Sequence, residues 1–81
     1  MMAINWQSRD LVNEADIRQR WGFRDTAEET GLLRLILWEA AQRRYILPRE
    51  LGGVTLYEAL AIAGLEREPF VSMILQRVTA G

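Results

Sequence analysis

Eleven carboxylates and ten guanidinium groups carry the ionic chemistry of this chain, because histidine, cysteine and lysine are all absent. That composition removes the usual general bases, the thiolate nucleophile and the Schiff-base amine. Ser8 and Ser72 have no candidate base nearby in sequence. Glu28 and Glu29 are adjacent carboxylates, but their spacing from Asp25 and Thr26 is that of helix capping boxes. Asp10, Glu14 and Asp16 fall where an acidic helix start is expected, which explains them better than a metal site does. Gly52-Gly53 is followed by no Lys or Ser/Thr at the spacing of a phosphate loop. The expectation is therefore no catalysis, no cofactor and no bound metal.

Nucleic-acid binding is the next class to weigh. Net charge is −1 and no basic block exists, so the electrostatic footprint of a nucleic-acid binder is missing. The segment 56–78 nevertheless has helix-turn-helix proportions, with Gly64 in the turn and Leu65, Phe70 and Met73 as expected core contacts. Against it, Glu66 and Glu68 would face phosphates, and the second helix offers few polar side chains for base edges. The earlier unit Asp16 to Thr26 has the same outline, with Arg18 and Glu28 at positions where small or apolar core residues are expected. A helix-turn-helix DNA-binding protein using 56–78 stands as the alternative, with nucleic acid an unlikely partner.

The favoured expectation is protein binding: a small accessory, adaptor or inhibitory subunit, or a self-associating oligomer. Tryptophan, tyrosine and arginine are the residue types enriched in interface hot spots. Trp6, Arg34, Trp38 and Tyr45 are candidates, with Arg34, Trp38 and Tyr45 expected on one side of a central helix, where plain core packing is the competing explanation. Phe70, Val71, Ile74, Leu75 and Val78 cover much of the last helix and are the preferred partner-facing surface.

The elements that must position these residues are read as helices. Ser8 to Trp21 is the first helical region, with Asn13 as N-cap, a hydrophobic staple between Val12 and Ile17, and Gly22 at the left-handed C′ position. Thr26 to Tyr45 is the central helix, apolar almost all round and so expected to be buried on all sides. Gly31 within it suggests close approach of another helix. Tyr45 to Gly53 is a connector, in which Tyr45-Ile46-Leu47 has no evident second strand to pair with. Thr55 to Ala63 reads as a third helix, opened by a Thr55/Glu58 capping box and stopped by Gly64. Pro69 opens a fourth, which frays over Thr79 to Gly81. The expected fold is all-α: one four-helix domain over 1–81 with a buried central helix and an N-terminal arm at 1–7.

Eighty-one residues bound the chain to one domain with a modest core, and 49% hydrophobic with 26% charged is a globular composition. The N-terminus lacks the pattern of a signal peptide, and apolar runs such as Leu35 to Trp38 are far short of a membrane span. A cytoplasmic protein with no membrane contact is expected. The run from Asp25 to Ala41 is similar to the acidic-start helix of small helical head–tail connector proteins of tailed phages. That likeness covers one helix and carries no functional expectation.

Overall fold

A two-residue strand opens the described chain's regular structure: the computed structural model describes residues 3–80, and within them β1 (Leu11–Val12) is followed by α1 (Glu14–Trp21), α2 (Ala27–Gln42), β2 (Arg49–Leu51), β3 (Val54–Glu58), α3 (Ala59–Leu65) and α4 (Pro69–Ala80). Met1, Met2 and Gly81 lie outside the described residues, and with them the ends of the expected arm and of the fraying terminus. The strands form one antiparallel sheet in the order β1-β3-β2, with Val12 opposite Tyr57 and Leu51 opposite Val54. The fold is therefore mixed helix and sheet, and the all-α helical bundle is corrected.

The correction has a local cause. Gly52 and Gly53 take φ of 59° and 81°, the left-handed geometry that a tight two-residue hairpin loop demands. The chain on either side folds back as β2 and β3. Thr55 thus lies in a strand, and its hydroxyl donates to Glu50 Oε1 across the hairpin at 2.6 Å instead of capping a helix. Helix α3 starts four residues later, at Ala59, with no side-chain cap. Its first free N–H groups are satisfied from far away in sequence: Ala59 donates to the Asp10 carbonyl at 2.8 Å and Leu60 to the Ser8 carbonyl at 2.9 Å. The arm before β1 therefore caps α3 with its backbone. Gly64 lies inside α3, and the stop comes at Glu66 to Glu68, whose N–H groups bond three residues back.

The helix ends follow local chemistry closely. Asn13 and Asp16 form a reciprocal capping box at 2.9 and 3.0 Å, and Gly22 closes α1 at φ 75°. Thr26 caps α2 by accepting from the Glu29 N–H at 3.2 Å. At its other end, Tyr45 N–H bonds the Ala40 carbonyl and Arg44 N–H the Ala41 carbonyl, the paired bonds of a Schellman motif. The residue in the left-handed position there is Arg44, at φ 62°.

The core gathers Val12, Ile17, Trp21, Phe23, Leu33, Ile36, Leu37, Ala40, Ile46, Tyr57, Ala59, Ile62, Leu65 and Val71. Helix α2 supplies Leu33, Ile36, Leu37 and Ala40 from one face only. Its other face leaves Arg34, Leu35 and Trp38 in solvent, so the helix buried on all sides is corrected to an amphipathic one. Gly31 opens onto empty space, with no close neighbour for a Cβ to meet. The outer edge of β2 is guarded: Pro48 just before it has no N–H to offer, and Arg49 and Glu50 place charge along it.

The opposite end is tied down by one carboxylate. Glu66 accepts from Arg20 Nε at 2.6 Å, Arg20 Nη2 at 3.1 Å and the Trp21 indole N–H at 2.7 Å. The Arg20 guanidinium also lies over the Trp6 ring, 4.7 Å from its centroid. Arm, α1 and the α3–α4 turn are joined through this cluster.

Candidate docking groove

A groove of about 660 Å³ runs between the outward face of α2 and the hairpin. Arg34, Leu37, Trp38 and Ala41 form its helical side, because positions three, four and seven apart share a helix face. Pro48, Gly53, Val54, Thr55 and Tyr57 form its hairpin side, and Asn13, Glu14 and Ala15 close one end. Leu37 and Tyr57 are buried, so they make an apolar floor. Trp38 stands beside them 59% exposed and Val54 47% exposed, so the lip is also apolar.

The polar groups of the groove are few and held in place. Arg34 Nε donates to Glu14 Oε1 at 2.7 Å and Nη2 to Oε2 at 3.3 Å, a two-point clamp of α2 to the start of α1. That bond holds the Glu14 carboxyl below its ordinary value, against the opposing effect of desolvation, and raises the Arg34 guanidinium. Burial pushes the Tyr57 hydroxyl up, and the negative charges of Glu14 and Glu50 push it further. The floor is therefore apolar, and the one ion pair that lines the groove is matched within it. Among the described residues no group of three or more His, Cys, Asp or Glu is arranged to hold a metal, and no helix is long and apolar enough to cross a membrane.

Of the residues singled out by type, Arg34 and Trp38 meet in this groove. Tyr45 does not join them. It follows the end of α2 and stacks on Phe70, centroids 6.4 Å apart, with the Arg43 guanidinium 4.5 Å over the other ring. Trp6 is half-buried under Arg20. Val71 is fully buried, and Phe70, Ile74, Leu75 and Val78 pack against the core. The apolar arc of α4 thus closes the domain itself, and Met73, expected as a core contact, is the exposed one, at 56%. The sequence reads Glu14 as part of an acidic helix start and Thr55 as a helix cap, and does not point to Val54 or Tyr57. The Gly-Gly loop is the sequence signal for the hairpin residues Val54, Thr55 and Tyr57, since it brings the hairpin back over α2.

The same geometry bears on nucleic-acid recognition. In the segment 56–78, α4 packs its apolar face on the core and leaves Met73, Gln76 and Arg77 on the outer face, and Glu66 is already bound to Arg20 and Trp21. Around α2, four arginines are paired within the domain: Arg24 with Glu29, Arg34 with Glu14, Arg43 with Glu39 and Arg49 with Glu58. Comparison with known proteins adds no identity, since no family model, no curated protein and no solved structure matches the chain.

Proposed function

We propose that this chain is a non-enzymatic protein-binding module, an accessory or adaptor subunit that docks a partner in the groove between α2 and the β2–β3 hairpin. The observation that carries the reading is Trp38. A tryptophan left 59% exposed at the lip of an apolar-floored groove is costly in water and is the residue type that most often anchors an interface. The groove is preferred to the last helix as the docking surface, because Val71 is buried and Phe70, Ile74, Leu75 and Val78 are partly buried against the core. A cytoplasmic setting is part of this reading.

The test is capture from an extract of the source cells on immobilised chain, with the Trp38→Ala chain alongside. A protein retained by the first and lost from the second, at high as well as low salt, is the expected result. A partner retained equally by both overturns the assignment of the groove.

One observation favours a second reading. Strand, helix, short turn, helix and hairpin, in that order, is the arrangement of a winged helix-turn-helix module, with α2 in the place of the recognition helix and the hairpin as the wing. Under it the chain binds DNA through α2, not through α4. The acidic start of α2 at Glu28 and Glu29 and the internally paired arginines weigh against this. Retention of duplex DNA that falls steeply with salt would favour it.

A further inference from the structure

We propose that the groove takes an uncharged, proline-rich segment of a partner protein, in polyproline II form, seated on Trp38 beside Tyr57. The inference rests on the docking reading above and adds the chemistry of the partner. Its first support is charge. Glu14 and Arg34 are the only ionised residues that line the groove, and they neutralise each other at 2.7 Å. Two charges act on the lining from outside it, and they differ in sign: Arg18 on Glu14 and Glu50 on Tyr57. The lining therefore carries no net charge and matches a segment with none, whereas a charged segment would give up its hydration for no counter-ion. The 81 residues hold two prolines, Pro48 and Pro69, far apart, so a second copy of them supplies no such segment.

The second support is the balance of hydrogen-bond groups. The side-chain acceptors are engaged: the Glu14 carboxylate by Arg34, and Asn13 Oδ1 by the Asp16 N–H at 2.9 Å. Donors are left over. Among the described residues the Trp38 indole N–H, the Tyr57 hydroxyl and the Asn13 side-chain N–H groups have no partner. Burial and nearby carboxylates hold the Tyr57 hydroxyl protonated, so it stays a donor. The matching occupant offers acceptors and few donors. A proline-rich backbone does this, since proline has no N–H and polyproline II leaves its carbonyls free of internal bonds. A helical segment uses its carbonyls internally and would bury these donors unpaired. An added strand would need the outer edge of β2, which starts after Pro48 and carries Arg49 and Glu50.

The third support is shape. Trp38, Tyr57 and Pro48 line the same groove, and an aromatic-lined groove is a common seat for proline rings. The polyproline II form is largely set before binding, so little ordering opposes it.

The experiment uses two labelled, uncharged synthetic peptides with capped ends. One is built from proline, leucine and glutamine, the other from alanine, leucine and glutamine so that it forms a helix. Binding to the full chain is read by fluorescence anisotropy. The proline peptide is expected to bind about tenfold more tightly than the helical one. Trp38→Ala should abolish its binding. Trp38→Phe keeps a ring and loses the N–H, and should weaken it about fivefold. Circular dichroism confirms that both variants fold; Trp38 is exposed. If the helical peptide binds through Trp38 as tightly as the proline peptide, the groove reading stands and the choice of proline falls. If Trp38→Phe binds as tightly as the parent, the donor argument is overturned. If the proline peptide binds equally to the Trp38→Ala chain, its contact with the groove is refuted. If neither peptide binds, this inference falls, and the groove reading is decided by the capture experiment above.

Discussion

Removing the Glu66 carboxylate tests whether the cluster around Trp21 holds the domain together. Glu66 accepts from the indole N–H of Trp21, which is only 5% exposed, and from two nitrogens of Arg20. In Glu66→Ala the indole N–H stays buried without a partner, which costs about 1–3 kcal/mol. The ion pair with Arg20 is about one-third exposed on both sides, so its loss is screened and adds only about 0.2–1 kcal/mol. The expected destabilisation is about 2–3 kcal/mol, or a Tm lowered by roughly 10–20 °C in a domain of this size. Glu66→Gln keeps an acceptor for the indole and loses the charge, and should cost about 1 kcal/mol. Urea unfolding followed by tryptophan fluorescence measures both, with an unchanged dependence on denaturant as the check that the unfolded state is the same. A Glu66→Ala chain within about 0.5 kcal/mol of the parent would refute the reasoning, as would a Glu66→Gln chain that is equally damaged.

Three further outcomes are expected. Gly31 sits in an exposed helix interior with open space where a Cβ would go, so Gly31→Ala should stabilise by about 0.5–1 kcal/mol in the same urea assay. Arg44 occupies a left-handed position at φ 62°, so Arg44→Gly should relieve strain and raise stability by about 0.5–1 kcal/mol after the added freedom of the unfolded glycine is deducted. The folded Glu14 carboxyl lies below its unfolded value, mainly through its bond to Arg34. Its stabilising contribution is therefore full above the unfolded value and is lost as pH falls through the folded one. Arg34→Gln should remove that part of the acid-side slope, measured as unfolding midpoint against pH, and leave stability at alkaline pH dependent on other groups.

Local signals in the chain were legible, and long-range ones were not. Asn13 with Asp16, Gly22 and Pro69 each act within a few residues as their type and spacing imply, and Thr26 caps α2 by its hydroxyl, although the Glu29 carboxylate turns to Arg24 instead of closing a box. Thr55 and Glu58 show how the same rules mislead. Their spacing copies a capping box, and Leu56 and Leu60 copy a helical stripe. The decisive interactions, though, are pairing of β3 with Leu11 and Val12 and the carbonyls of Ser8 and Asp10 at the start of α3. Strands of two and three residues give too little alternation to be read alone. Trp38 illustrates the limit for the site. Counting apolar residues around α2 placed it in a buried rod, whereas the hairpin covers only part of that helix and leaves the indole at the lip. The groove joins residues 13–15, 34–41 and 48–57, and only the non-local β pairing brings those segments together.

The most direct test of the docking groove is a nitrogen-15 correlation spectrum of the labelled chain, recorded with and without the captured partner. The groove predicts that the largest shifts fall on the Trp38 indole and on the amides of Glu14, Val54 and Thr55, with α4 little changed. Shifts concentrated on Phe70 to Val78, or a Trp38 indole that does not move, would contradict it.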